Sequence, residues 1–311
     1  MHNEVKDDPN PEESFHEHIP SQLFLSDSDQ HLHSGISGYT QPTAISDELH
    51  QCVRSLNSKQ RNAFDIVLSW CRNKMKNTNN VKPQEVKEIF IFITGGAGAG
   101  KSHLIKTIYH AVTKTLTHAP MNPELLSVLL MAPTGVVAIN INGTTINPAL
   151  GIPKETGTTL KPLTDQKRTQ MRIFLCQLKL IIIDEISTVG NTTLLHVHQR
   201  LKEIFDTPAS QLFAGISIIA VGDIYQLPPI KKKPVFENYN NDTYNLCHPW
   251  HLFSMIELTE IMRQKDDQPF AEMLNRFRTT NQTEEDINCI QSRSIDPADD
   301  NYPTNAIQVI C

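Results

Sequence analysis

The fold of this chain is decided by residues 95–102, which read Gly95-Gly96-Ala97-Gly98-Ala99-Gly100-Lys101-Ser102. The stretch fits the pattern G-x-x-x-x-G-K-[ST], in which the backbone N–H groups of a glycine-rich loop surround nucleotide phosphates. In this pattern Lys101 reaches the β- and γ-phosphates, and the Ser102 hydroxyl binds Mg²⁺. We therefore predict a nucleoside-triphosphate site formed by all eight residues.

The residues on either side of this loop are those that the pattern requires. Residues 89–93 form a short apolar run, which predicts a buried parallel strand. After the loop, apolar residues recur at helical spacing from Leu104 to Val112. A helix that begins at the loop adds the positive end of its dipole to the phosphate site. An ordinary glycine-rich turn is the alternative, and a dinucleotide site is excluded because no G-x-G-x-x-G occurs.

Composition and charge favour a globular protein with an acidic N-terminal segment. The chain has 311 residues, 39% of them hydrophobic, which is enough for one large domain or two modest ones. Residues 1–52 hold ten acidic residues against one Lys, whereas the net charge of the whole chain is −6. We therefore predict that residues 1–52 are an acidic, mostly disordered tail. The rest of the chain is mildly basic, which permits a nucleic-acid partner without requiring one.

The cysteines and the hydropathy of the chain indicate in which cellular compartment the protein is expected. The six cysteines are dispersed and form no C-x-x-C pair, so we expect neither a disulfide framework nor a zinc site. The N-terminus has no apolar stretch typical of a secretory signal. No apolar run reaches the ~20 residues of a membrane-spanning helix. We expect a soluble intracellular protein with no membrane partner.

Strands and helices alternate through the middle of the chain. Apolar runs predict three further strands, at residues 127–132, 180–183 and 216–221. Helical patterns accompany them, near residues 135–141, 166–178 and 193–205. Such alternation produces a parallel sheet with right-handed crossovers and helices on its faces. The predicted fold class is the doubly wound α/β fold of a P-loop NTPase.

Two of these predicted strands end in residues suited to hydrolysing a nucleotide. Asp184 and Glu185 follow the predicted strand at residues 180–183, about 80 residues after the phosphate loop. In P-loop enzymes the two acids of such a pair have different roles. The first acid holds Mg²⁺, and the second deprotonates the attacking water. Gly222 and Asp223 follow the predicted strand at residues 216–221. Gln226, three residues later, can both donate and accept a hydrogen bond without carrying charge, which suits a side chain that senses the γ-phosphate. If the phosphate loop were absent, the simpler interpretations would be that Asp184 and Glu185 are solvated acids and that Gly222 and Asp223 form an ordinary turn.

Seven blocks of sequence resemble the Pif-type (petite integration frequency) DNA helicases of superfamily 1. Besides the phosphate loop, the blocks are Leu56–Gln60, Ala132–Gly135, Gly143–Ile146, Ile183–Ser187, Gly222–Pro229 and Leu258–Gln264. Their order and spacing match from about Leu56 to the C-terminus. Within the family, the chain is most similar to helicases of rolling-circle (Helitron) transposons and their animal relatives.

This resemblance implies that the nucleotide is ATP and that Mg²⁺ accompanies it. Gln60 would read the edge of the adenine ring. Lys101 and Ser102 would bind the phosphates and Mg²⁺, joined at the metal by Asp184.

The resemblance also implies three catalytic roles beside that of Lys101. Glu185 would be the catalytic base, and Gln226 would sense the γ-phosphate. Arg263 would be an arginine finger from a second motor domain, where it stabilises charge on the transferring phosphoryl group. A surface arginine at a strand end is the alternative for Arg263.

Two loops would line a track for single-stranded DNA, using backbone N–H groups and hydroxyls on its phosphates. They contribute Pro133, Thr134, Gly135, Gly143, Thr144 and Thr145. Asn147 belongs to the second loop at a position where the family pattern has His. The partner implied is single-stranded or forked DNA.

At the level of domains, the resemblance implies a first RecA-like motor domain at residues 53–255. Residues 256–311 would begin a second RecA-like domain, left incomplete. The intact family binds ATP between two such domains and steps 5′-to-3′ along single-stranded DNA. We expect a monomeric motor in the nucleus, with the mitochondrion as the alternative, that serves DNA replication, repair, recombination or telomere maintenance.

Two other functions stay open from the sequence. The later family motifs have no counterpart here, so we expect a truncated chain, which favours a remnant that binds ATP or DNA without unwinding. A P-loop switch or chaperone-like ATPase with no nucleic-acid partner is the second alternative. The blocks 222–229 and 258–264 argue against it, and stimulation of turnover by DNA separates it from a helicase.

Overall fold

Six parallel strands form one sheet, and helices cover both of its faces. The computed structural model describes residues 46–78, 86–117, 125–153, 159–208, 210–238, 248–262 and 267–294. The strands are β1 (Phe90–Gly95), β2 (Val128–Ala132), β3 (Thr144–Thr145), β4 (Leu180–Ile183), β5 (Ser217–Gly222) and β6 (Ser254–Leu258). They lie in the order β3-β2-β4-β5-β1-β6, and every neighbouring pair is parallel.

The α-helices of the described residues connect these strands and extend beyond them. They are α1 (Ser46–Arg54), α2 (Ser58–Thr78), α3 (Lys101–Thr117), α4 (Gly135–Asn140), α5 (Ile146–Ala149), α6 (Asp165–Leu175), α7 (Asn191–Phe205), α8 (Gln268–Arg278) and α9 (Glu284–Gln291). Short 3₁₀ helices occur at Ile186–Thr188, Leu212–Gly215 and Pro249–Leu252.

The sheet separates two hydrophobic cores, because successive side chains of a strand point to opposite faces. In β4, Leu180 and Ile182 pack into one core, while Ile181 and Ile183 pack into the other. Helices α1 to α4 contribute to the first core and α5 to α7 to the second. A sheet buried on both faces needs strands that are apolar throughout, which explains the continuous apolar runs of the sequence.

The predicted α/β fold is confirmed, and most predicted elements are present. The four predicted strands correspond to β1, β2, β4 and β5, and the four predicted helices to α3, α4, α6 and α7. Strands β3 and β6 were not among the predicted elements. A strand of two residues has no periodicity to detect, and β6 is an edge strand whose residues are largely exposed.

Two elements cross the predicted domain boundaries, and the division into domains stays a prediction. The helix α1 begins at Ser46, inside the predicted tail, and buries Leu49 in the first core; residues 1–45 lie outside the described part of the chain. At the other boundary, β6 pairs with β1, so the sheet that holds the phosphate loop extends past residue 255 to Leu258. No helix among the described residues has the length and apolar character needed to cross a membrane.

Candidate nucleotide-binding site

Three of the four residues predicted to be catalytic, Lys101, Glu185 and Gln226, follow the carboxyl-terminal ends of adjacent strands. Strands β4, β5 and β1 are adjacent in the sheet, and parallel strands end at the same edge. The phosphate loop follows β1, Asp184 and Glu185 follow β4, and Asp223 follows β5. Three segments that are distant along the chain therefore come together around a single site.

Two glycines of the phosphate loop have a left-handed backbone conformation. Gly98 and Gly100 have φ angles of 80° and 77°, a left-handed conformation that only glycine adopts without strain. Helix α3 begins at Lys101, so its free N–H groups and the positive end of its dipole face the loop. The predicted strand–loop–helix setting is confirmed.

The Lys101 side chain lies inside this loop. Its Nζ donates to the carbonyl oxygens of Gly95 at 2.8 Å and Gly96 at 3.2 Å. Burial lowers the pKa of Lys101 from its ordinary value, and the neighbouring Asp223 and Glu185 carboxylates oppose this shift. The ammonium group is thus hydrogen-bonded to the loop backbone, in the electrostatic field of the acids that follow β4 and β5.

Asp184 is a buried carboxylate that suits a divalent cation. Burial raises its pKa to about 6, and its Oδ1 accepts the Glu185 N–H at 2.9 Å. Within the described part of the chain it takes part in no ion pair. The Ser102 hydroxyl, exposed at the start of α3, adds a second hard oxygen donor.

This donor set fits Mg²⁺ bound together with a nucleotide, and it does not fit a metal held by protein alone. Among the described residues no group of three or more His, Cys, Asp or Glu could hold an ion. Mg²⁺ in nucleotide enzymes is bound by one or two protein oxygens, substrate phosphates and water. Ser102 and Asp184 are oxygen donors of that kind.

Glu185 has a strained backbone at the end of β4. Its φ of 50° and ψ of 47° place it in the left-handed region, which is unfavourable for a residue with a side chain. Its Oε1 accepts the Ser187 hydroxyl at 3.3 Å, and the side chain is half-buried. Strain of this kind is concentrated at functional sites, where neighbouring structure maintains it.

The turn after β5 is organised around the Asp223 carboxylate, which is fully buried. Its Oδ1 accepts the Tyr225 N–H at 3.2 Å, and its Oδ2 accepts Gln226 Nε2 at 3.3 Å. Gln226 itself is exposed. Gln226 therefore lies in the turn after β5, and its side-chain amide is hydrogen-bonded to Asp223.

Sequence reasoning missed Arg278, the last residue of α8. Its Nε donates to Asp223 Oδ2 and its Nη2 donates to Asp223 Oδ1, both at 2.7 Å. The side chain is only 13% exposed. In the sequence Arg278 is one of two arginines at the end of a helix, and no local pattern distinguishes it from Arg276.

Gln60 contacts the phosphate loop from α2. Its Nε2 donates to the Ala99 carbonyl at 3.0 Å, and its Oε1 accepts the Asn57 N–H at 3.0 Å. Asn57 in turn caps α2, since its Oδ1 accepts the Gln60 N–H at 2.9 Å. Gln60 is buried behind the loop, and its contact with adenine stays a prediction.

The chain after β6 returns to the phosphate loop. The Met262 N–H donates to the Gly98 carbonyl at 2.8 Å, and the Met262 sulfur accepts Asn57 Nδ2 at 3.5 Å. Arg263, the predicted arginine finger, lies outside the described residues. The contact of Met262 nevertheless brings the preceding backbone to the loop.

The two predicted DNA loops lie side by side at the β3 edge of the sheet. Thr144 pairs with Met131 and Thr145 with Ala132, so the second loop continues next to the end of β2. Around this point the structure brings together Pro133, Thr134, Gly135, Gly143, Thr144 and Thr145.

The side chains of these two loops differ in accessibility. Thr134 and Gly135 are exposed at the start of α4, whereas Thr144 is buried. The Asn147 side chain donates from Nδ2 to the Pro153 carbonyl at 3.2 Å. Their contact with DNA stays a prediction.

Comparison with known proteins identifies DNA helicases that are similar to this chain. The sequence profile of the PIF1-like helicase family matches residues 55–288. ATP-dependent DNA helicase PIF1 of Candida albicans is 29% identical over 239 residues, which cover 74% of this chain and 24% of that protein. ATP-dependent DNA helicase RRM3 of Saccharomyces cerevisiae is 29% identical over 279 residues, which cover 85% and 35%. The chain thus spans about a quarter to a third of the length of these relatives.

Solved structures give the same result for the fold. The crystal structure of Candida albicans Pif1 helicase has a TM-score of 0.56 at 27% identity, covering 78% of this chain and 48% of that one. Bacteroides Pif1 in complex with ADP-AlF3 and ssDNA has a TM-score of 0.51 at 26% identity, covering 74% and 51%. With its RecA-like sheet and a family profile that matches most of its length, this chain belongs to the PIF1-like helicase family.

Proposed function

We propose that this chain is the ATP-hydrolysing motor region of a DNA helicase. One observation carries the proposal: the phosphate loop, the Asp184–Glu185 pair and the turn with Gln226 converge at the ends of three adjacent strands. These are the parts that phosphoryl transfer to water requires, namely phosphate binding, a metal ligand, a base and a γ-phosphate contact.

The residues of the site would act in sequence on bound ATP. The N–H groups of the loop and the Lys101 ammonium would hold the phosphates, with Lys101 exchanging its carbonyl partners for phosphate oxygens. Ser102 and Asp184 would hold Mg²⁺, which when bound neutralises charge on the β- and γ-phosphates. Glu185 would take the proton of the attacking water while Gln226 contacts the γ-phosphate.

A second motor domain would complete this site. We propose that the chain from about residue 256 begins that domain and that Arg263 acts as its arginine finger. The hydrogen bond from Met262 to Gly98 supports this role, since it brings the residue before Arg263 to the phosphate loop. A cation delivered there would stabilise the charge that develops on the γ-phosphate.

The proposed substrate is single-stranded or forked DNA. The Bacteroides Pif1 structure that resembles this chain contains ssDNA. In this chain, the exposed Thr134 and Gly135 and the neighbouring second loop would contact the phosphates of the strand. By resemblance we further propose a monomeric 5′-to-3′ motor, similar to Helitron helicases, that acts in nuclear or mitochondrial DNA maintenance.

The proposal is tested by steady-state ATP hydrolysis with and without single-stranded DNA. We expect turnover that rises with DNA and falls by about 100-fold or more in Lys101→Ala, which loses its phosphate contacts. Glu185→Gln is expected to bind ATP but to hydrolyse it at least about 100-fold more slowly. Lys106→Ala is the matched control, because Lys106 is an exposed lysine on the same helix, α3.

Other results would assign the chain to a different class. Turnover that DNA does not change would favour a P-loop ATPase without a nucleic-acid partner. Binding of ATP that depends on Lys101, with no turnover, would favour a silent ATP-binding protein. Hydrolysis by Glu185→Gln at the parent rate would show that another residue is the base.

A further inference from the structure

The ion pair between Asp223 and Arg278 joins two elements that are distant in sequence. Asp223 ends the central strand β5 and is fully buried, whereas Arg278 ends α8, which follows β6. Two parallel hydrogen bonds of 2.7 Å connect the guanidinium to both carboxylate oxygens. Such bidentate pairs fix the orientation of both partners more tightly than a single contact does.

The same arginine also lies against the phosphate loop. A methyl group added at Gly96 would lie 3.6 Å from Arg278 Cδ and 3.9 Å from Asn275 Oδ1, so α8 passes directly over the loop. The guanidinium carbon is 4.7 Å from the centre of the Tyr225 ring, within the range of a cation–π contact. Arg278 thus contacts the turn that carries Gln226 and lies next to the phosphate loop.

Asp223 connects this arginine to Gln226. The carboxylate that accepts two hydrogen bonds from Arg278 also accepts Gln226 Nε2 and the Tyr225 N–H. Because Asp223 is buried, loss of its cationic partner would leave an uncompensated charge, and the turn would have to rearrange. The position of Gln226 therefore depends on Arg278 through one shared carboxylate.

We propose that Arg278 is a positioning residue for ATP hydrolysis: it holds Asp223, and through it Gln226, in place beside the phosphate loop. It also ties that turn to α8, so that a change at the γ-phosphate is transmitted to the chain that follows β6. This inference rests on the proposed function, and it assigns to Arg278 a role distinct from that of Arg263. Arg278 itself does not need to touch the nucleotide.

The structure supplies a matched control on the same helix. Arg276 pairs with Asp286 of α9 through two hydrogen bonds of 2.7 Å from Nε and Nη2. This second pair has the same chemistry and a buried carboxylate, but Asp286 belongs to α9 and lies outside the site. We therefore compare D223N/R278Q with R276Q/D286N in the full chain. Each double variant removes both charges, so neither leaves an unpaired ion that would prevent folding.

Two measurements distinguish positioning from general stabilisation. We expect D223N/R278Q to lower kcat for DNA-stimulated ATP hydrolysis by about 10-fold or more while KM for ATP changes by less than about 3-fold. R276Q/D286N should keep kcat within about 2-fold of the parent. Hydrogen exchange of the amides of residues 224–227 should be faster in D223N/R278Q and unchanged in R276Q/D286N.

Each outcome decides the proposal. Parent-like kcat in D223N/R278Q, or equal losses of kcat in both double variants, would overturn the positioning role. If the parent chain itself hydrolyses no ATP, the proposed function fails, and hydrogen exchange alone then decides about Arg278. Unchanged exchange at residues 224–227 in D223N/R278Q would overturn the inference, whereas faster exchange confined to that variant would support it.

Discussion

At the scale of single residues, the end of β4 places two neighbouring carboxylates in different environments. Asp184 is buried and its pKa is raised to about 6 by that burial. Glu185 is half-buried, and its left-handed backbone turns it away from the direction of the strand. A buried acid suits a metal ligand, because a cation compensates its charge, while a more accessible acid can exchange protons with water. The environments thus support the roles proposed for the two residues.

The raised pKa of Asp184 predicts how stability depends on pH. Its folded-state pKa lies above the ordinary value of 3.8, so the folded protein binds this proton more tightly than the unfolded chain does. The stabilisation is complete below about pH 4 and is lost as the pH rises through about 6. Without nucleotide and Mg²⁺, Asp184→Asn should therefore raise the free energy of unfolding at pH 8 by roughly 1–3 kcal/mol.

Urea unfolding at pH 8 and at pH 4 measures this effect. The gain in Asp184→Asn should be small at pH 4, because the parent carboxyl is then neutral in the folded protein and only partly ionised in the unfolded chain. Asp65→Asn, which changes an exposed carboxyl on α2, should show no such gain at pH 8. Addition of Mg²⁺ and ATP should stabilise the parent more than Asp184→Asn. Equal stability of parent and Asp184→Asn at pH 8 would contradict the burial argument.

At the scale of secondary-structure elements, close packing of β1 against β6 shapes the phosphate loop. A Cβ at Gly95 would lie 2.8 Å from the Leu258 carbonyl oxygen and 3.0 Å from Leu258 Cβ. The first distance is too short for an unaltered backbone, and the second is tighter than most real Cβ contacts. The glycine that opens the phosphate loop therefore also permits the close approach of the edge strand.

Gly95→Ala should consequently destabilise the protein. We expect the free energy of unfolding to fall by about 1–3 kcal/mol, because β6 must move away from β1. Gly135→Ala is the control, since nothing lies within 4 Å of an added Cβ there; it should change stability by less than about 0.5 kcal/mol. Thermal or urea unfolding of both variants checks the difference, and equal effects would contradict the packing explanation.

At the scale of the whole molecule, charge is distributed unevenly along the chain. Residues 1–45 contain eight acidic residues and one Lys, while the complete chain has a net charge of −6. The acidic segment repels the phosphates of nucleic acid, and the site residues lie in the remaining, nearly neutral part. Long-range repulsion of this kind weakens as salt concentration rises.

Removal of residues 1–45 should therefore strengthen binding of single-stranded DNA. We expect a gain of about 3-fold or more at 50 mM salt, shrinking toward no difference near 500 mM, where the screening length is short. Fluorescence anisotropy with a labelled oligonucleotide measures both affinities. A gain that stays constant with salt would indicate steric blocking of the site and not charge repulsion.

The sequence by itself determined the parallel α/β fold, the phosphate loop and the acid pair, because these depend on local pattern. Apolar runs predict buried strands wherever both faces of a sheet are covered, and the glycine-rich loop is specified by eight consecutive residues. Only the tertiary structure decided that Arg278 pairs with Asp223, 55 residues away. It alone also showed that β6 joins the sheet beside β1 and that Met262 donates to Gly98. Such contacts form through packing between distant segments, and no spacing along the chain encodes them.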